Sequence, residues 1–321
     1  MNTITRRSLM LGAVATPLAR SALAQTGNIT RIVVPFPPGG TADPIARMVQ
    51  PGLQQRLNTT IIIENKPGAS GSIGTAMVAK SPPDGSSWVI VFDTHAVNPF
   101  LQTLPFDTEK DLEPVLLIGT APNVVATQPT SRFKTFADVI DAAKAKPDSI
   151  TYGSIGSGSL GHLTMVLLAQ RAGVRMVHVP YRGGGPLMND ALAGHLDLAI
   201  ASAALITQQI AGGKLRGIAQ SGSIRIPGLP EVPTAIESGF PGFESYAWWG
   251  WYTAGKTPRA IVDRFGNALA ETLREPAIRS RVEALQITLR LDGPDVLRKF
   301  VAEQMKLWGQ VVKEHNIKAD T

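Results

Sequence analysis

The chain contains no cysteine. That excludes disulfides, thiolate metal ligands and a cysteine nucleophile. It also lacks, after its first residues, any apolar run of the ~20 residues that a membrane-crossing helix needs. Lys/Arg clusters interleaved with aromatics, the footprint of a nucleic-acid surface, are absent, and only 6% of the residues are aromatic. The five histidines, His95, His162, His178, His195 and His315, show no i, i+4 pairing and no carboxylates at ligand spacing, so no metal site is expected. No G-x-S-x-G elbow surrounds Ser70, Ser157 or Ser159, which argues against a catalytic serine.

What is present is a chain long enough to bury a sizeable core. It has 321 residues, 44% hydrophobic and 17% charged. At roughly 100–200 residues per domain, two domains are expected. The first 24 residues read as an export signal rather than as part of the fold. Arg6 and Arg7 form a twin-arginine-like start, residues 9–18 are apolar, and Ala22, Leu23 and Ala24 supply small residues for cleavage. Cleavage after Ala24, by the twin-arginine or the general route, places the mature chain in the periplasm. A membrane anchor is the rival reading, but Arg20 interrupts the apolar run too early for it. Losing Arg6, Arg7 and Arg20 and no acid lowers the formal charge from +6 to +3. Nucleic acid is therefore not an expected partner.

Residues 31–47 organise the chain. Ile32, Val33 and Val34 suit a parallel strand covered on both faces. Residues 35–40 are rich in Pro and Gly and cannot continue a ladder or a helix. Asp43 is expected to cap the next helix, with Pro44 at its first position. Ile45, Met48, Val49, Leu53 and Leu57 recur at helical spacing and predict one buried stripe. Pro51 and Gly52 predict a kink or break within it. At the junction, the amides of Gly39, Gly40 and Thr41 lie near the positive end of a helix dipole, a site for an anion such as a carboxylate. An ordinary tight strand-to-helix turn fits the stretch equally well.

The arrangement repeats. A strand at 60–64 runs into a Gly-rich turn with Ala69, Ser70 and Gly71, then a helix. A third strand at 88–92 ends in a polar turn with Thr94 and His95. Ligands in open α/β sheets bind beyond the carboxyl ends of strands, so three such ends suggest one crevice. Residues 112–118 and 123–127 read as paired strands around Gly119, and Thr135 as the cap of a helix to Ala145. A second α/β unit follows: strands at 149–152, 176–179, 196–200 and 215–219, with helices at 162–172 and 187–192. An aromatic-rich strand at 243–252 and amphipathic helices at 258–273 and 294–315 return to the first sheet. The expected fold class is α/β with two lobes, each a mainly parallel sheet flanked by helices. Lobe 1 takes residues 25–123 and 245–321, lobe 2 residues 124–244, and the cleft lies between them.

The loops carry the candidate chemistry. Residues 156–161 match G-x-G-x-x-G between a strand and a helix, the dinucleotide fingerprint. The acidic partner expected ~20 residues on is missing, since Pro180, Tyr181 and Arg182 stand there. An exported nucleotide-dependent oxidoreductase remains the alternative function. Ser154, Ser157 and Ser159, with the backbone around Gly156 and Gly158, can hold a carboxylate without a buried cation; a flexible surface loop is the other reading. His95 and His162 sit at strand-end loops where either can touch a ligand, whereas His178 reads as structural. Arg182 is a ligand clamp or a solvated charge. Tyr181 and Trp249 wall a pocket or pack in the core.

Six segments appear in a telling order: Val34-Pro-Phe-Pro-Pro-Gly-Gly-Thr-Ala-Asp43, Glu64-Asn-Lys-Pro-Gly-Ala-Ser-Gly71, Pro82-Pro-Asp-Gly85, Thr94-His-Ala-Val-Asn-Pro99, Val179-Pro-Tyr-Arg-Gly183 and Leu192-Ala-Gly-His-Leu-Asp197. From about residue 29 onward the chain resembles the Bug receptors, solute-binding proteins of tripartite tricarboxylate transporters. The resemblance implies a type II two-lobe periplasmic binding-protein fold that closes by hinge motion on a small mono-, di- or tricarboxylate. It implies no enzyme activity, no cofactor, a monomer, and delivery to membrane subunits of such a transporter. A ligand sensor not coupled to transport fits the same residues. By resemblance, the loop at Pro37 to Thr41, the loop at Gly68 to Ser72 and the turn at Thr94 and His95 come from the first lobe; the candidate ligand contacts there are Phe36, Pro38, Gly39, Gly40, Thr41, Ala69, Ser70, Gly71, Thr94 and His95. Ser154 to Ser159 with His162, and Tyr181 with Arg182, come from the second. Three departures stand out. Arg182 replaces a usual lysine, residues 201–204 replace an Asp-Asn-Leu-Pro-like loop bordering the ligand, and Pro51-Gly52 replaces helix formers.

Overall fold

Ile32, Val33 and Val34 are all buried, at the centre of a strand paired in parallel on both sides, as the apolar run predicts. The computed structural model describes residues 29–319; the export segment expected at 1–24 lies outside the described residues. The first lobe starts with β1 (Ile29–Val34), α1 (Ala42–Leu57), β2 (Thr60–Asn65), α2 (Ser72–Ala79), β3 (Ser87–Phe92) and α3 (Asn98–Leu101). The long β4 (Leu112–Thr127) leads into α4 (Phe136–Ala145), β5 (Thr151–Ser154), α5 (Leu160–Ala172) and β6 (Val177–Pro180). Then come α6 (Gly184–Ala193), β7 (Leu198–Ser202), α7 (Ala203–Ala211) and β8 (Arg216–Gln220). The chain returns through β9 (Tyr246–Ala254), α8 (Arg259–Arg274), α9 (Pro276–Ala284), β10 (Thr288–Asp292) and α10 (Pro294–Glu314).

The strand order is β2-β1-β3-β9-β4-β7-β5-β6, with β8 and β10 also paired to β4. Parallel pairing is confined to β1 with β2 and β3, and to β5 with β6 and β7. The strands that carry the chain between lobes, β4 and β9, run antiparallel to their neighbours. β4 is the joint: its first part pairs with β9, and Asn123 to Thr127 pair with β7 and β8. The two paired strands expected at 112–118 and 123–127 are therefore one continuous 16-residue strand. Gly119 marks no turn. It sits in the strand where a Cβ would collide with the Thr288 carbonyl of β10, so glycine here admits a neighbouring backbone. Where the crossing segments meet, the Ser221 amide donates to the Asn123 carbonyl (2.8 Å) and the Ser245 amide to the Ser221 carbonyl (2.9 Å).

Helix α1 corrects the expected cap. It begins at Ala42, with Thr41 in the capping position but making no capping bond, and Pro44 is its third residue. The Asp43 carboxylate instead accepts from Asn65 Nδ2 (2.9 Å) and Arg47 Nε (3.0 Å). The helix is not broken at Pro51 and Gly52 but continues to Leu57. Pro51 and Arg47, whose carbonyl loses its amide partner, are both exposed, so water can take over that bond. Gly52 serves packing: a Cβ there would lie 2.6 Å from Cγ2 and 2.9 Å from Oγ1 of Thr272 on α8. On the same face of the first lobe's sheet, Trp88 of β3 stacks on Phe265 of α8 at 3.7 Å between ring centres, in one core with Ile45, Val49 and Leu53 of α1. Trp248, Trp249 and Trp251 of β9 are all fully buried.

Helix propensity alone favours Gly52→Ala by about 1 kcal/mol. The contact with Thr272 reverses the sign, and Gly52→Ala is expected to destabilise the protein by about 1–3 kcal/mol. Urea denaturation checks this, and a stabilised variant contradicts the packing account.

Candidate functional site

The two lobes meet over a narrow inner cavity of about 30 Å³. Phe36, Gly40, Thr41, Phe92 and Asp93 wall it from the first lobe, and Asn123 closes it at the crossing strand. Ile155, Gly161, Gly183, Gly184, Ser202 and Leu205 wall it from the second. A wider cleft of about 500 Å³ shares Phe36 and Ile155 with this cavity and takes in Ala69, Ser70, Gly71, Gly156, Tyr181 and Arg182.

Four helices begin at the inner cavity. Gly40, Thr41 and Ala42 belong to the start of α1, Gly161 to the first turn of α5, Gly183 and Gly184 to the start of α6, and Ser202 stands in the capping position of α7. The first amides of a helix have no intrahelical acceptor, and each N-terminus carries about half a positive charge. No Lys, Arg or His lines this cavity among the described residues. Positive potential here comes from backbone, which suits a carboxylate held by several N–H donors.

The loop before α1 is held from behind. Asn65 Nδ2 donates to the Phe36 carbonyl (3.1 Å), and Trp249 Nε1 donates to Thr41 Oγ1 (3.0 Å). Trp249 is fully buried against Phe92, 5.2 Å between ring centres, so it positions the wall rather than forming it. Pro38 and Gly39 are exposed at the rim, where a Cβ on Gly185 would lie 3.2 Å from the Pro38 carbonyl.

Ala69 and Ser70 hold φ angles of 45° and 50°, a conformation that costs an L-residue roughly 1–2 kcal/mol. Bonds from the first lobe fix it. Thr94 Oγ1 (2.9 Å) and Asn98 Nδ2 (3.1 Å) donate to the Ser70 carbonyl, and Gln102 Nε2 donates to the Ala69 carbonyl (3.1 Å). Thr94 and His95 thus correct a sequence expectation: neither lines the inner cavity or the wider cleft. Thr94 braces the Ser70 turn. The His95 ring lies 4.8 Å from that of Tyr252, and burial pushes its imidazole down to about 4, leaving it neutral.

The serine loop is also corrected. Ser154 and Ser159 are fully buried, and their hydroxyls donate to the Gly156 carbonyl at 3.1 and 2.8 Å. Ser154 Oγ also bonds His178 Nε2 (2.7 Å), and Ser159 Oγ accepts the His162 amide (3.3 Å) as the cap of α5. Buried hydroxyls need partners, and these find them within the loop, not in the cavity. Ser157 is likewise buried and lines neither space. The His162 ring stacks on His178 at 3.8 Å, with Nδ1 accepting the Gly158 amide (3.1 Å), so it faces the second lobe's interior. Gly158 packs against Leu101 and Val97 of the first lobe, which leaves no room for a pyrophosphate over the G-x-G-x-x-G loop. In the wider cleft Arg182 is exposed, and the Tyr181 hydroxyl turns aside to donate to Asp190 (2.6 Å).

Several cavity residues were not singled out from sequence. Asp93, the first residue after β3, is 1% exposed. Its Oδ1 accepts the Leu160 amide across the lobes (3.3 Å), and its Oδ2 has no partner. Burial raises its carboxyl to about 8, against the lowering effect of the Leu160 and Thr94 amides. The sequence marked the polar turn at 93–95, but spacing does not say which of its side chains turns inward. The segment 201–204 borders the cavity, although not as a loop: β7 runs directly into α7.

This architecture, two α/β lobes with helix N-termini facing a shared cleft, is that of a periplasmic binding protein. The chain belongs to the tripartite tricarboxylate transporter family of receptors, whose model matches residues 45–317. It is 33% identical over 318 residues to a protein of the tcbD-tcbE intergenic region of Pseudomonas sp. (strain P51), covering 94% of this chain and 95% of that one. Among solved structures it is similar to the periplasmic binding protein BugD, with 30% identity, a TM-score of 0.85, and 91% and 99% of the two chains covered. It is also similar to MatC from Rhodopseudomonas palustris with bound malate, at 28% identity and a TM-score of 0.83, covering 88% and 99%. No helix among the described residues is long and apolar enough to cross a membrane.

Because the folded protein holds Asp93 above its ordinary carboxyl range, folding favours the protonated acid. Its contribution is full below about pH 4 and is lost as pH rises toward about 8. Asp93→Asn is therefore expected to stabilise the ligand-free protein more at pH 8 than at pH 4, by on the order of a few kcal/mol. Melting curves of both proteins across this range test it; a constant difference contradicts the assignment.

Proposed function

We propose that this protein is a non-enzymatic, exported receptor that captures a small organic carboxylate between its lobes and delivers it to the membrane subunits of a tripartite transporter. The observation that carries this is the meeting of four helix N-termini on a cavity without a cationic side chain. Such a site offers N–H donors and dipoles for a carboxylate and no nucleophile, metal ligand set or acid–base pair for chemistry. The malate in the related MatC structure supports the same ligand class.

On this reading lobe 1 comprises residues 25–123 and 245–321, and lobe 2 residues 124–244, with the hinge at the Asn123, Ser221 and Ser245 cluster. An inner cavity of about 30 Å³ has room for a few waters at most, so an organic carboxylate is admitted and held only with the lobes farther apart than they stand here. Closure then adds contacts from the second lobe, and that difference in contact lets a ligand shift the population. Gly39, Gly40 and Thr41 supply the first lobe's amides, and Ser70, Gly156, Tyr181 and Arg182 border the entrance.

A panel of mono-, di- and tricarboxylates is expected to raise the melting temperature for at least one member. No shift with any of them overturns the proposal. Gly185→Val places a side chain against the Pro38 carbonyl and blocks closure. It is expected to weaken that ligand at least tenfold while leaving the ligand-free melting temperature within about 2 °C. Unchanged affinity rules out closure between α6 and the loop before α1.

A further inference from the structure

The inner cavity has one ionisable group, and it is an acid. Asp93 lies among Thr41, Asn123 and Ser202, and its Oδ2 is buried without a partner. A buried carboxyl oxygen without a hydrogen bond is costly, so a retained one points to a partner that arrives from outside. Among the described residues no Lys, Arg or His shares the cavity with it, and its partners are backbone amides, that of Leu160 on the opposite lobe and that of Thr94 beside it. His95, two residues on, packs against Tyr252 instead. The rest of the wall is apolar, from Phe36, Phe92, Ile155, Ile200 and Leu205.

We infer that the ligand is an amino acid with an apolar side chain, its carboxylate at the helix N-termini and its ammonium on Asp93. This rests on the carboxylate reading above and narrows it. An ammonium supplies the missing donor to Oδ2 and turns the acid from a repulsive neighbour of the bound carboxylate into its electrostatic complement. A dicarboxylate brings a second negative charge toward Asp93 with no side-chain cation to offset it. The apolar residues then accept the side chain, as in most small-molecule sites. No covalent step is involved.

Matched pairs of ligands test this by calorimetry on the purified protein: alanine with propionate, valine with 3-methylbutyrate, leucine with 4-methylpentanoate, and phenylalanine with 3-phenylpropionate, with succinate alongside. At least one amino acid is expected to bind ten times more tightly or better than its deamino partner. Asp93→Asn is expected to bring that ratio to within about threefold of unity, and Asp93→Ser serves if the asparagine variant does not fold. The wild-type ratios decide the matter even if neither variant folds. Deamino acids binding as well as the amino acids, or succinate binding best, overturns the inference and leaves the carboxylate reading in place. An amino-acid preference that survives at Asp93→Asn also overturns it. No binding by any of the nine probes overturns the inference, and it overturns the carboxylate reading as well only when the mono-, di- and tricarboxylate panel above also gives no shift.

Discussion

The structure depends on one electrostatic arrangement: backbone amides at four helix starts supply the positive potential of an inner cavity that, among the described residues, has no cationic side chain. A buried lysine or arginine would need its own compensation when the lobes part and solvent enters. Helix N-termini are fixed by the fold of each lobe and carry only a partial charge, which water can solvate when the lobes part. Much of the surrounding detail serves to keep them there. Asn65 ties down the loop before α1, Trp249 holds Thr41 from behind, and Thr94 and Asn98 lock the Ser70 turn.

The same constraint explains where polar side chains went. The serines between β5 and α5 look like ligand donors in a linear sequence, yet they bond the Gly156 carbonyl and cap α5. They present the helix rather than the hydroxyl. His162, buried, and His178, half-buried, stack on each other and stiffen the same turn from the second lobe. Asp93 is the exception: it lines the cavity with one oxygen unpaired, and so is no part of that framework.

β4 and β9 couple the lobes. Because β4 is one strand serving both lobes, the lobes are joined near Asn123 by continuous ladders rather than by a loose linker. The three-residue network of Asn123, Ser221 and Ser245 gathers the crossing segments at one place. It adjoins the cavity through Asn123, so the cavity wall and the crossing strands share a residue.

Local pattern was enough for the alternation of strands and helices, for the strand-end turns and for the family, because apolar runs, Pro/Gly turns and ordered motifs are written in neighbouring residues. It also sufficed for the Thr135 cap, a capping box completed by Asp138. Tertiary structure decided what depends on residues far apart in the chain. Gly52 is explained only by Thr272, Gly119 only by Thr288, and Asp43 is drawn from its expected cap by Asn65 and Arg47. The turn of Asp93 toward the cavity, and of Thr94 and His95 away from it, follows from bonds and packing with Leu160 of α5, the Ser70 carbonyl and Tyr252 of β9. Spacing along a chain reports which face of its own element a side chain occupies, whereas the atoms it meets there belong to segments that only folding brings near.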